Sequence, residues 1–76
     1  MNAVVIVTTV EGKVNTHTGV TLLGALQNFF EAMDNVCCDV DTIKSIELFT
    51  KFKIDACNSF VAETLRQRGL LCALQQ

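Results

Sequence analysis

The strongest constraint on the fold is a run of β-branched side chains that extends without interruption from Val4 to Val10. Two heavy atoms on Cβ restrict the χ1 torsion, and such residues favour the pleated, extended backbone of a strand. The run therefore predicts a first strand near the N-terminus. Its first half is apolar at successive positions, which is the pattern of a strand covered on both faces.

A β-hairpin is predicted to follow this strand. Glu11-Gly12 supplies a residue that takes a positive φ without strain, as hairpin turns require. The side chains of residues 13–18 then alternate in character from one position to the next, as expected of a strand with one exposed face. His17, the single histidine of the chain, is expected to face solvent on this second strand.

The register of the hairpin is open between two turns, and it decides which face of the first strand points inward. With a two-residue turn, Val14 lies beside Val5 and Val7. With a three-residue turn that has glycine in the left-handed conformation, it lies beside Val4 and Ile6. The sequence alone favours neither register.

Two amphipathic helices are predicted where apolar residues recur at spacings of three and four. The first begins after an N-cap at Thr21, with Thr18 as the alternative, and ends before Asp34-Asn35. The second begins after a cap at position 55, 58 or 59. It ends at Gly69, which is expected to take the left-handed position that follows many helices.

The segment between the helices, residues 42–54, fits two structures. As a strand, it has Ile46 and Leu48 on one face, and Phe49 with its neighbouring lysines on the other. As a helix, it has a cap at position 41 or 42 and a pair of opposite charges four residues apart. We take the segment to be a strand.

These elements predict an α+β fold, a single small domain over residues 1–76 in the order ββαβα. A short final strand at residues 70–74 is an optional addition to that order. The helices are expected to pack on one face of a small, mostly antiparallel sheet. The alternative fold is an N-terminal β-hairpin followed by three helices.

The composition indicates a protein partner. Half of the 76 residues are apolar, yet a domain of this size buries only about 60% of the surface that its unfolded chain exposes. The expected function is therefore a non-enzymatic protein–protein interaction module, an inhibitor or accessory factor of the kind that viruses and mobile elements encode. It would bind a larger protein complex sterically, and a homodimer is expected. The interface is predicted at Val5, Val7, Phe49, Lys51, Lys53, Leu70, Leu71 and Leu74.

Two other classes of function compete with this one. A module that binds single-stranded nucleic acid would use Phe49 together with Lys51 and Lys53, but a net charge of −2 is a poor match for a polyanion. A thiol-based redox or metal-binding protein would use Cys37 and Cys38. Adjacent cysteines lack the C-x-x-C spacing that is typical of such sites.

No catalytic, cofactor-binding or metal-binding residue is predicted, and the chain is not expected to be an enzyme. The glycines of segment 19–24 are not followed by the Lys and Ser/Thr of a phosphate-binding loop. The four cysteines are expected to be reduced, because a chain this apolar does not need disulfides to complete its core. Without a long apolar run or a basic leader, the protein is expected to be cytoplasmic and not to enter a membrane.

Overall fold

Residues 2–50 and 59–74 are the part of the chain that the computed structural model describes, and they form three strands and two helices. The strands are β1 (Ala3–Thr9), β2 (Val14–Gly19) and β3 (Ile43–Thr50), and the helices are α1 (Leu22–Asn35) and α2 (Ser59–Gln67). Short 3-10 turns at Val40–Thr42 and Leu71–Ala73 precede β3 and follow α2. The α+β class predicted from the sequence is confirmed.

The segment that fitted two structures forms strand β3 over residues 43–50, and Thr42 ends the 3-10 turn before it. Residues 43–50 pair antiparallel with β1. Ile46 is fully buried and Phe49 is exposed, as the alternation of a strand predicts. The helical interpretation, and with it the hairpin followed by three helices, is therefore wrong over these residues. Residues 51–54 lie outside the described part of the chain.

The hairpin closes through a three-residue loop. The backbone N–H of Thr9 donates to the carbonyl oxygen of Lys13 at 2.9 Å, and the N–H of Gly12 donates to the carbonyl of Thr9 at 2.9 Å. Gly12 has φ +90°, the left-handed conformation expected for this loop length. Val14 consequently lies opposite Thr8 and shares the face of Ile6. The structure thus selects one of the two registers that the sequence left open.

The register gives the sheet two different faces. β1 is the central strand, with β2 and β3 antiparallel on either side. On the inner face, Ala3, Val5 and Val7 are buried in the cluster that also contains the apolar residues of both described helices. On the outer face, Val4 and Ile6 are only half-buried. The expectation that β1 is covered on both faces is wrong, because the described helices contribute to the inner face alone.

Helix α1 begins at the predicted N-cap. The Thr21 hydroxyl accepts a hydrogen bond from the backbone N–H of Gly24 at 3.0 Å, which satisfies one of the free donors of the first turn. The residues that α1 buries are Leu22, Ala25, Leu26, Phe29, Phe30 and Met33.

Of the described helices, neither has the length and apolar character needed to cross a bilayer.

The first half of α1 lies very close to the end of β2. A Cβ atom on Gly19 would be 2.6 Å from the backbone nitrogen of Ala25, well inside contact distance. The Asn28 side-chain amide donates to the Thr18 carbonyl at 2.7 Å. Glycine at position 19 is therefore what allows the strand and the helix to approach each other here.

The end of α2 is a Schellman motif. The N–H of Leu70 donates to the carbonyl of Leu65 at 2.9 Å, and the N–H of Gly69 donates to the carbonyl of Arg66 at 3.0 Å. Gly69 has φ +73°, so its predicted place after the helix is confirmed. Leu65 and Leu70, the pair that such a motif commonly brings together, are both in the core.

The predicted short final strand is reduced to one bridge. Leu74 makes a single parallel bridge to Ile46 of β3, whose other side pairs with Val7 of β1. The C-terminal residues therefore cover part of the edge of β3 that β1 leaves free. On the opposite edge of the sheet, β2 is the outermost strand.

Candidate functional site

Three residues predicted to form an interface lie in the core. Val5 and Val7 expose 0% and 1% of their surface, and Leu70 exposes 1%. The three-residue loop turns Val5 and Val7 to the inner face under α1, and the Schellman motif turns Leu70 inward. These three predictions are corrected, because residues without exposed surface do not contact a partner of the folded chain.

The other predicted interface residues are distributed differently. Phe49 and Leu71 are exposed, and Leu74 is half-buried beside β3. Phe49 lies on the outer face of the sheet, whereas Leu71 lies in the turn after α2. Lys51 and Lys53 fall outside the described residues. The structure therefore does not bring the predicted set together as one surface.

The outer face of the sheet carries a continuous apolar band instead. Phe49 of β3 lies directly opposite Val4 of β1, and Ile6 is the next outer-face residue along β1. Val14 of β2 lies opposite Thr8, diagonal to Ile6. Val14 exposes 61% of its surface and Phe49 exposes 49%. We call these four residues, Val4, Ile6, Val14 and Phe49, the outer-face band.

The surroundings of the outer-face band are nearly uncharged. The registers place Thr16 and Thr18 of β2, and Ser45 and Glu47 of β3, on the same face. Among the outer-face residues that the structure describes, Glu47 is the only charged one. The face therefore combines apolar side chains with hydroxyl groups and one carboxylate.

The interface predicted on β1 fell on its buried face, at Val5 and Val7. Val4 and Ile6 are the alternate residues of β1, which the prediction left out. The register places Val14 of β2 on the same face as these two residues. The sequence carries no signal that separates the two sets, because Glu11-Gly12 fits a two-residue turn as well as a three-residue one.

The edge of β2 presents free backbone groups. Thr9 and Lys13 form a hydrogen-bonded pair, so every second residue from Lys13 directs its N–H and carbonyl toward β1. Val14, Thr16 and Thr18 consequently direct theirs away from the sheet. The Thr18 carbonyl accepts from Asn28, and no hydrogen bond within the described chain occupies the outward groups of Val14 and Thr16.

A cleft of about 230 Å³ opens between the second half of α1 and the hairpin end of the inner sheet face. Core side chains form its floor, and polar side chains of β1 and β2 reach its rim. The residues that line it are Val7, Thr9, Asn15, His17, Phe29, Ala32, Met33, Val36, Cys38 and Ile43.

His17 belongs to this cleft, so the prediction that it faces solvent is wrong. It lies opposite Val5 on the inner face and is half-buried. Its ring centroid is 5.3 Å from that of Phe29, with the two planes tilted by 43°. Burial lowers the pKa of His17 from its ordinary value of 6.5, so the ring is mainly neutral near pH 7.

The described thiols make no hydrogen bond to His17. Cys38 Sγ lies 3.1 Å from Thr42 Oγ1 and 3.6 Å from the carbonyl oxygen of Asp39, and no hydrogen bond joins it to His17. Cys37, Cys38 and Cys72 are free thiols. Within residues 2–50 and 59–74, no group of three or more His, Cys, Asp or Glu side chains is arranged to hold a metal ion.

The described geometry thus includes an exposed apolar face with a free strand edge and, on the other side of the sheet, the cleft that His17 lines. The chain matches no family model, no curated protein and no solved structure.

Proposed function

We propose that this chain is a non-enzymatic protein–protein interaction module, an inhibitor or accessory factor that binds a larger protein complex and blocks part of its surface. The observation that carries the proposal is the outer-face band, in which Phe49 and Val14 expose about half or more of their surface on one face of the sheet. Exposed apolar patches on small domains commonly mark interaction sites. An exposed aromatic side chain is a frequent anchor of such interfaces.

The net charge of −2 and the described residues of this face favour a protein over a nucleic acid. A partner with a complementary apolar surface would bury Phe49 and Val14, while the threonine hydroxyls at the rim would meet polar groups or water. Single-stranded nucleic acid would instead need cations on this face. The described outer face offers Glu47, whose carboxylate repels phosphates, beside the one aromatic ring.

The proposal includes a homodimer formed through the edge of β2. Two copies of β2 can pair antiparallel about a two-fold axis at Thr16, so that the outward N–H and carbonyl groups of one copy meet those of the other. This pairing would extend the sheet and join the two outer-face bands. The free thiols of the described cysteines support a reducing compartment, and we propose a cytoplasmic location.

Substitutions that remove the apolar side chains but keep strand propensity test the interface. The variant Val14→Thr, Phe49→Thr retains β-forming residues at both positions. Val20→Thr is the matched control, because Val20 exposes 74% of its surface outside the three strands. Each protein is immobilised and exposed to an extract of the native host, and bound proteins are identified by mass spectrometry.

We expect a specific protein to be captured by the wild-type chain and by Val20→Thr and to be lost with the double variant. Capture that is equal for all three proteins would show that the outer-face band is not the binding surface. Failure to capture any protein at micromolar bait concentrations would contradict the proposed function.

A further inference from the structure

We propose that the cleft between α1 and the hairpin end of the sheet binds a small, uncharged aromatic molecule of one or two rings that carries a hydroxyl or N–H group. This binding site is separate from the outer-face band, since it opens on the other side of the sheet. Its floor consists of Val7, Phe29 and Met33, all of which are core residues. The hydrophobic core is thus accessible to a ligand at this point.

The cleft lies next to the contact between α1 and β2. At its beginning, the helix backbone approaches Gly19 so closely that a Cβ there would lie 2.6 Å from the nitrogen of Ala25. About one turn after Ala25, the rings of His17 and Phe29 lie between the helix and the sheet, with 5.3 Å between their centroids. Both rings line the cleft, which continues along the helix to Ala32 and Val36.

The size of the cleft sets the size of the ligand. An apolar cavity of about 150 Å³ engineered into another protein stays dry and binds benzene. With about 230 Å³, this cleft accommodates one or two fused rings. The larger ligands that occupy pockets of several hundred Å³ would extend from this cleft into solvent.

The polar groups at the rim define the chemistry of the ligand. None of the ten residues that line the cleft is an Asp, Glu, Lys or Arg, so nothing compensates the desolvation of a charged ligand. His17 makes no hydrogen bond through its ring to any residue that the structure describes, and a neutral imidazole has one donor and one acceptor nitrogen. The Asn15 amide adds a further donor and acceptor at the rim. A hydroxyl or N–H group on an apolar ring would satisfy these side chains.

The chain is well suited to a direct test, because it contains no Trp and no Tyr and its own fluorescence does not obscure that of an aromatic probe. We choose 2-naphthol as the probe, and naphthalene as the analogue without a hydroxyl. Fluorescence anisotropy of each is followed as the protein is added. Saturable binding of 2-naphthol is expected with a Kd on the order of 0.1 mM.

Three variants locate the binding site. Ala32→Leu fills the cleft from the helix side and should weaken 2-naphthol binding at least tenfold. Ala62→Leu, a half-buried alanine of α2 that does not line the cleft, should change it less than twofold. His17→Phe keeps an aromatic ring but removes the nitrogens, and it should weaken binding of 2-naphthol about fivefold while leaving naphthalene unchanged.

Backbone amide chemical shifts of the wild-type protein give a second measurement that does not depend on any variant. Addition of 2-naphthol should shift the amides of Val7, Phe29 and Met33 and leave those of α2 in place. Absence of saturable binding, shifts elsewhere in the protein, or equal affinity for Ala32→Leu would overturn the proposal. Equal weakening of both probes by His17→Phe would overturn the hydroxyl or N–H requirement.

Discussion

Cys37 occupies the same place after α1 that Gly69 occupies after α2. The N–H of Cys38 donates to the Met33 carbonyl at 3.0 Å and the N–H of Cys37 donates to the Asp34 carbonyl at 3.3 Å, which reproduces the Schellman pattern at the end of α2. Cys37 has φ +52° and Gly69 has φ +73°. Of the described residues other than glycine, Cys37 alone has a positive φ.

Cys37→Gly should therefore stabilise the protein. A side chain with a Cβ costs about 1–2 kcal/mol in the left-handed conformation, and part of that gain is offset by the greater entropy of glycine in the unfolded chain. The net increase in the free energy of unfolding should be about 0.5–1 kcal/mol, measured by urea denaturation. Gly69→Ala is the reciprocal change and should destabilise by about 1 kcal/mol. Loss of stability in Cys37→Gly would contradict the role assigned to this residue.

Gly19→Ala should destabilise the protein by about 1–3 kcal/mol, as overpacking substitutions in tight contacts do. The new Cβ would lie 2.6 Å from the Ala25 nitrogen and 2.9 Å from the Gly24 carbonyl carbon. Both are backbone atoms, so the start of α1 has to move away from β2. Thermal unfolding followed by circular dichroism measures the loss. A melting temperature equal to that of the wild type would show that the helix and strand are less close than described.

Arg68 connects the ends of the two helices and should contribute more to stability than Arg66. Its guanidinium forms two hydrogen bonds to the Asp34 carboxylate, at 2.9 and 3.3 Å, and its Cζ lies 4.5 Å from the Phe30 ring centroid. Arg68→Lys loses both the paired geometry and the stacking. Since the Asp34 side chain is largely exposed, we expect a loss of only about 0.5–1 kcal/mol in the free energy of unfolding.

Arg66→Lys is the matched control for this experiment. Arg66 also binds a carboxylate, that of Glu63, but both residues lie in α2 and both are exposed. Its replacement should leave the urea midpoint unchanged. Equal effects of the two substitutions would mean that the contact between the helices contributes nothing to stability.

The pKa of His17 should lie below 6.5 in the folded protein, because burial disfavours the charged ring. The unfolded chain then takes up a proton more readily as the pH falls. The contribution of His17 to stability is therefore complete above pH 6.5 and decreases as the pH falls from 6.5 toward the folded-state pKa. The single histidine gives one ring Hε1 resonance, and its titration midpoint by NMR measures the pKa directly. A midpoint at or above 6.5 would contradict the buried position of the ring.

Thr16→Pro should abolish the proposed homodimer without unfolding the hairpin. The N–H of Thr16 points away from β1, and proline is tolerated on edge strands at such positions. Sedimentation velocity over a concentration series should show self-association of the wild type and a monomer for the variant. Asn15→Pro, whose replaced N–H points toward β1, should instead disrupt the sheet. Wild-type protein that stays monomeric at about 100 µM, where weak dimers of −5 to −6 kcal/mol are detected, would contradict the homodimer.

Local sequence signals predicted the elements well wherever the information is contained in neighbouring residues. Thr21 caps α1 because its hydroxyl reaches an N–H three residues away, and Gly69 ends α2 because a residue there needs a positive φ. The N-cap and the helix end both depend on residues within a single turn of backbone. The same reasoning missed Cys37, since a cysteine side chain gives no indication that its residue takes a positive φ.

The candidate sites were less predictable. His17 was expected in solvent and lies against Phe29, twelve residues away, because the register of the hairpin turns it toward α1. Val4, Ile6 and Val14 of the outer-face band were missed for the same reason. Phe49 was expected at an interface and is exposed, but its neighbour on the sheet is Val4, which only strand pairing brings to it.

The run of seven β-branched side chains from Val4 to Val10 was enough to predict the first strand, which spans Ala3–Thr9, because such side chains restrict the backbone wherever the rest of the chain lies. It did not determine which face of that strand is buried. Val4 and Ile6 are as apolar as Val5 and Val7, so hydrophobicity cannot distinguish the two sets. The tertiary structure decided between them, since the loop that ends at Gly12 sets the register of β2 and α1 then packs on only one of the two faces.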